Sequence, residues 1–222
     1  NEIFEDVHEI LNFLKESSAP QDIATDFIQA ELVELEKKDV KRALQQYRAL
    51  QKRVESGEDL MWSAELYYHL AVLTGNGLDV SREPNRKTVL ELVDKGLTFN
   101  EQDTDLLSYK AWVLKKGGLP DDAIAMYQAL AEKNPQSDVA LRGIADIYYE
   151  DLNRHAAQAL TYYEKLLENQ KTAELYYYAA TCKRQLGDLE GARVCYLKEL
   201  EMDPEDIDAF HGLAFLCDSM GK

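Results

Sequence analysis

Apolar residues recur along most of the chain at the three- and four-residue intervals of a helix face, with charged residues between them. The first stripe is Ile3, Phe4, Val7, Ile10, Leu11 and Leu14, which predicts an amphipathic helix; Ser17 to Pro20 then breaks the pattern, and Ser18 or Asp22 is placed to cap the next helix. Further on, a large residue is followed three and four positions later by an apolar and a small one: Tyr67, Leu70, Ala71; then Leu141, Ile144, Ala145, with Tyr148 a turn later; then Phe210, Leu213, Ala214. The small residue lets a second helix approach closely. The five prolines and eleven glycines stand at the edges of these periodic stretches, whereas an all-β chain would need turn signals every eight to twelve residues or so. The chain therefore reads as all-α.

The pattern also repeats. Ala64-Glu65-Leu66-Tyr67-Tyr68 recurs as Ala173-Glu174-Leu175-Tyr176-Tyr177. An alanine followed one turn later by tyrosine appears as Ala123/Tyr127, Ala159/Tyr163 and Ala192/Tyr196, with Pro135 and Pro204 after the first and third pairs. The alanines are spaced by 36 and 33 residues, a unit of about 34. Gly117-Gly118 and Gly187-Asp188 mark turns inside their units, and each proline ends a second helix because it cannot continue one.

A unit of this length, with these anchors and a closing proline, resembles the tetratricopeptide repeat family, most clearly from Leu106 to Gly221. The resemblance implies a right-handed superhelical solenoid of helix hairpins over 21–222, preceded by a capping helix and linker at 1–20. Hairpins are expected at about 24–57, 64–103, 104–137, 138–172 and 173–206, followed by a lone helix in 207–222. Two units depart from the family. Glu31 stands where a small residue is usual in the first, although Phe27, Ala43 and Tyr47 fit. The second has an insertion, Gly75 to Asn85, and carries Val89 and Val93 at the anchor positions. The fourth unit is expected to have a long turn, Asp151 to Ala157, and has no closing proline.

Composition narrows the function. Lys and Arg number 25 against 41 Asp and Glu, a net charge of −16 that repels phosphate backbones and anionic lipid head groups. Neither nucleic acid nor membrane insertion is expected, since no apolar run approaches a membrane span. Cys182, Cys195 and Cys217 are odd in number, lack metal-ligand spacing and fall in apolar stretches, so buried, reduced thiols and a cytoplasmic setting are expected; a chain opening on Asn1 leaves a processed periplasmic or secreted form as the alternative.

No catalytic constellation is visible. His8-Glu9 lacks a second histidine four residues on, and His69, His155 and His211 read as packed or surface residues, not metal ligands. Gly75-Asn76-Gly77 has no phosphate-loop surroundings, and the acidic pairs Asp121-Asp122 and Glu150-Asp151 read as solvated or capping groups. Neither cofactor nor metal is expected.

The family resemblance instead implies a concave face made by the first helices, where such solenoids bind partners. Carried onto this sequence, its groove positions are Tyr68, His69 and Val72; Asp105, Ser108, Tyr109, Trp112 and Lys116; Arg142, Asp146 and Tyr149; Glu174, Tyr177, Tyr178, Thr181 and Arg184; and His211 and Phe215. Tyrosine and tryptophan offer large contact area with a polar tip, which suits capture of a peptide or helical segment of a partner protein; the competing reading is that individual rings only pack between helices. Trp112 and Tyr149 are the expected anchors. Some family members clamp a chaperone tail's terminal carboxylate with lysine and asparagine, but Ser108 and Trp112 stand there and Asp146 adds negative charge, so a clamp of that kind is not expected. Arg142 and Arg184 remain to meet single acidic groups. The apolar Phe210, Leu213, Phe215 and Leu216 open the alternatives: a scaffold that self-associates as a homo-oligomer through its terminal helices, or the repeat portion of a larger multidomain protein.

Overall fold

The computed structural model describes residues 23–35, 38–58 and 60–219. The expected N-terminal capping helix lies outside these residues, as do Ser18 and Asp22. Among the described residues the chain is helical throughout, with eleven α-helices and no strand, the all-α architecture of a tetratricopeptide-like solenoid. It divides into two compact units, Asn1–Gly118 and Leu119–Lys222.

In the first unit, α1 (Ile23–Leu35) pairs with α2 (Val40–Glu55), α3 (Ser63–Asn76) pairs with α4 (Glu83–Leu97), and α5 (Thr104–Lys116) packs on α4 and α3. Ala43 and Tyr47 of α2 are fully buried, and Phe27 of α1 closes on Tyr47 with ring centroids 5.9 Å apart. Val89 and Val93 are likewise buried, so two β-branched residues fill the anchor positions of α4. The expected insertion is shorter than its sequence: Gly75 and Asn76 finish α3, and Glu83 to Asn85 already belong to α4. Pro84 explains this, because in the first helical turn its missing N–H removes no hydrogen bond.

In the second unit, α6 (Pro120–Lys133) packs on α7 (Asp138–Tyr149), which pairs with α8 (Leu152–Asn169); α9 (Ala173–Gln185) pairs with α10 (Leu189–Met202), and α11 (Ile207–Ser219) packs on α10. Ala123, Ala159, Ala192, Tyr163 and Tyr196 are buried to within 1 %, and Tyr127 is nearly so. Tyr127 and Tyr196 each lie over a glycine of the next helix. Gly143 faces the Tyr127 ring and Gly212 faces the Tyr196 ring, at distances that leave no room for a methyl group. The long turn expected at 151–157 is instead helix with a kink at His155 (φ −125°, ψ 15°), since the Asp151 carbonyl already accepts from the His155 N–H at 3.0 Å.

Side-chain caps set the helix starts. Asp39, Asp103, Ser137, Thr172, Asp188 and Asp206 each accept a hydrogen bond from a backbone N–H in the first turn of the following helix. At Gly118 and Gly187 the chain turns with φ of 74° and 81°, which glycine adopts without a Cβ clash. Cys182 and Cys195 are buried as expected, but Cys217 is exposed, because it lies on a side of α11 that no described helix covers. No described helix is long and apolar enough to cross a membrane.

Candidate functional site

In the first unit, α3 and α5 bring the predicted groove residues into one run of rings. Trp112 and Tyr109, three residues apart on α5, stack with centroids 5.4 Å apart and planes at 15°. Tyr109 meets Tyr68 of α3 edge-on at 6.1 Å, and Tyr68 meets His69 at 5.8 Å. His69 then stacks on Tyr47 at 5.0 Å, while Phe27 touches both His69 and Trp62. Tyr68, Tyr109 and Trp112 are half-buried, with one side in the hydrophobic core and the other in solvent. Tyr109 is held further by donating its hydroxyl to the Ala71 carbonyl at 3.3 Å. Burial, and then Tyr68, pushes its pKa up to about 12, so the phenol remains a hydrogen-bond donor at neutral pH.

The surroundings of this run are acidic. His69 Nδ1 lies 2.9 Å from Glu34 Oε2, and Nε2 lies 3.6 Å from Glu31 Oε1. Tyr47 donates its hydroxyl to the same Glu34 oxygen at 2.9 Å. Burial acts to lower the His69 pKa, but the two carboxylates outweigh it and raise the value to about 9. Although Glu65 is an exposed residue, partial desolvation and then Glu31 raise its carboxyl, with Asp103 and Asp105 adding to this and His69 opposing it. Glu31, Glu65 and His69 each bring a ligand atom within 4.8 Å of the other two, a spacing within reach of a metal ion.

In the second unit the rings gather on α7, α8 and α9. Tyr163 and Tyr178 stack, and Tyr149 closes edge-on against both, at 5.9 and 4.9 Å. Tyr177 meets Tyr178 at 5.6 Å. Tyr163 donates to Asp146 Oδ1 at 2.8 Å. Burial raises the pKa of Tyr149, Tyr163 and Tyr178 alike, so all three stay neutral. Arg142, expected to meet an acidic group of a partner, already pairs with Glu174 at 3.1 Å. The Arg184 guanidinium lies 5.0 Å from the centre of the Phe215 ring, and His211 and Phe215 are exposed on α11.

The predicted residues thus fall into two separate ring groups, one in each unit, with His211, Arg184 and Phe215 set apart at α9 and α11. Missing from the expected set are Phe27, Tyr47, Trp62 and Tyr163, which complete the ring groups, and Glu31 and Glu34, which hold His69. The anchor pattern marked Tyr47 and Tyr163 as packing residues, and both are fully buried, so there was no separate signal in the sequence that they underlie the outer rings. Depressions of about 230 to 430 Å³ lie elsewhere, between polar side chains such as Arg48, Glu55 and Lys95 or Gln128, Glu132 and Lys165.

The family described as tetratricopeptide repeat matches residues 110–172 and 153–207. Among solved structures, a tetratricopeptide repeat protein from Parabacteroides merdae is 18 % identical over 89 % of this chain and 73 % of its own, with a TM-score of 0.69. YrrB, described as a TPR protein with an unusual peptide-binding site, is 19 % identical over 91 % of this chain and 96 % of its own, at a TM-score of 0.63. MamA from Desulfovibrio magneticus, from residue 41 of that protein to its end, is 16 % identical over 72 % and 86 %, at 0.61. At these identities the likeness is one of fold. No curated protein sequence matches the chain.

Proposed function

The chain belongs to the tetratricopeptide repeat family, and on that premise we propose that it is a non-catalytic interaction module that holds a peptide or helical segment of a partner protein against its first-helix faces. One observation carries the reading. Tyr68, Tyr109 and Trp112 in one unit, and Tyr149, Tyr177 and Tyr178 in the other, are fixed by their neighbours yet keep part of each ring in solvent. Rings already ordered lose little rotamer freedom on binding, which favours them as contact residues. The peptide-binding site described for YrrB, a protein of the same fold, is in keeping with this use.

Panning a displayed peptide library on the chain, then measuring affinities of a selected peptide for Trp112→Ala and Tyr177→Ala, tests the assignment. The substitution in the unit that holds the peptide should weaken binding by about 1 kcal/mol or more, roughly fivefold, with helicity unchanged by circular dichroism. Unchanged affinity in both variants removes the first-helix faces as the binding site.

A second reading rests on a different surface. Val194 and Leu197 of α10 and Ile207, Phe210 and Phe215 of α11 are each more than 40 % exposed. That much uncovered apolar surface suits self-association through the C-terminal helices, with the chain acting as a scaffold.

A further inference from the structure

Glu65 and His69 are four residues apart on α3 and therefore share a face, and Glu31 of α1 reaches the same point. Their ligand atoms, two carboxylate oxygens and one imidazole nitrogen, lie within 4.8 Å of one another. His69 Nε2 lies 3.6 Å from Glu31 Oε1. That is too long for a well-formed hydrogen bond, but it is close to the roughly 3.3–3.5 Å that separates two ligands held about 2.0–2.1 Å from a tetrahedral zinc ion.

The imidazole is fixed for ligation. Nδ1 is engaged by Glu34, which is held in turn by the Tyr47 hydroxyl, so Nε2 is left facing Glu31. A carboxylate behind one ring nitrogen is the usual support of a metal-bound histidine. Ring contacts with Tyr47, Phe27 and Tyr68 fix the plane of the imidazole as well. Glu65, by contrast, is exposed and forms neither a salt bridge nor a hydrogen bond among the described residues, so its carboxylate is free to close on an ion.

We infer that Glu31, Glu65 and His69 form a binding site for a divalent metal ion of the zinc class, with Glu34 and Tyr47 supporting the histidine. One imidazole and two carboxylates are a borderline donor set, matched to zinc or cobalt more than to magnesium or calcium, which favour oxygen donors alone. The two carboxylates balance the ion's charge. Binding releases the Nε2 proton to solvent, and the three protein ligands leave at least one coordination position open.

Titration of the full chain with Co²⁺, followed by its visible d–d absorption and by displacement with Zn²⁺, reads the site directly. Wild type should bind one ion with the spectrum of a nitrogen/oxygen site. Glu65→Ala, an exposed change to a good helix former, should weaken binding at least tenfold. Glu34→Gln should weaken it by about ten- to a hundredfold while leaving the stoichiometry at one. Mg²⁺ reports on attraction to the acidic surface in general and should show no dependence on Glu65. Equal Co²⁺ and Zn²⁺ binding by wild type and Glu65→Ala, or no saturable binding, overturns the site and leaves His69 as a salt-bridged imidazolium only.

Discussion

Tyr163 and Tyr178 lie nearly parallel, with planes 11° apart and centroids 4.9 Å apart, although one is a fully buried anchor of α8 and the other a half-exposed residue of α9. The candidate binding face is thus the outer layer of the core itself. Tyr178→Ala should cost about 2 kcal/mol of stability, through lost area and a lost stack, whereas Tyr178→Phe, which keeps the ring, should stay within about 0.5 kcal/mol of wild type. Urea midpoints of the two variants check the contrast.

Gly212 gives a sharper packing test, because a Cβ at this position would meet the ring of Tyr196, which is only 1 % exposed. Helix propensity alone favours alanine by about 1 kcal/mol. Overpacking opposes it by roughly 1–3 kcal/mol, so Gly212→Ala should be net destabilising, with loss of amide protection confined first to α11. Hydrogen exchange followed peptide by peptide reads this out.

Glu199 should make stability depend on pH. It is 1 % exposed, its Oε2 has no hydrogen-bond partner, and burial followed by Asp206, Asp208 and Asp203 raises its pKa to about 7. A folded-state value above the unfolded one means that the stabilisation is complete below about pH 4.5 and is lost as pH rises through 7. The ionised native state at pH 8 therefore carries a penalty on the order of 2–3 kcal/mol. Glu199→Gln should be more stable than wild type at pH 8, and the difference should shrink toward pH 5. Thermal unfolding at both pH values checks the sign.

For the self-association reading, light scattering after gel filtration should show a reversible, concentration-dependent dimer that Phe210→Asp abolishes. Phe210 is the cleaner probe, since Phe215 also lies under Arg184. A wild-type chain that stays monomeric at high concentration removes this reading.

The fold was legible because its determinants are local. Ala123/Tyr127, Ala159/Tyr163 and Ala192/Tyr196 repeat a spacing that one helix pair after another must satisfy, and Gly118 and Gly187 stand where the backbone turns with positive φ. The helical start of α8 was not legible, since Asp151 to Arg154 have no apolar period of their own and rely on a short turn closing against Tyr148 and Asp151. The His69 cluster was hidden for a different reason. Glu31 lies 38 residues before His69, and in sequence it reads only as a misfit at a small-residue position. Arg142 likewise has a long-range neighbour that its own stretch of sequence does not show, Glu174.

The unequal burial of the three thiols makes the chain ready for site-specific chemistry. Burial raises Cys182 to about 12 and also raises Cys195, which keeps both as unreactive thiols, while Cys217 stands exposed on α11. A maleimide dye added to the native chain would therefore attach at one place, beside the exposed apolar residues of the last helix, and report on whatever comes to cover them without any engineered cysteine.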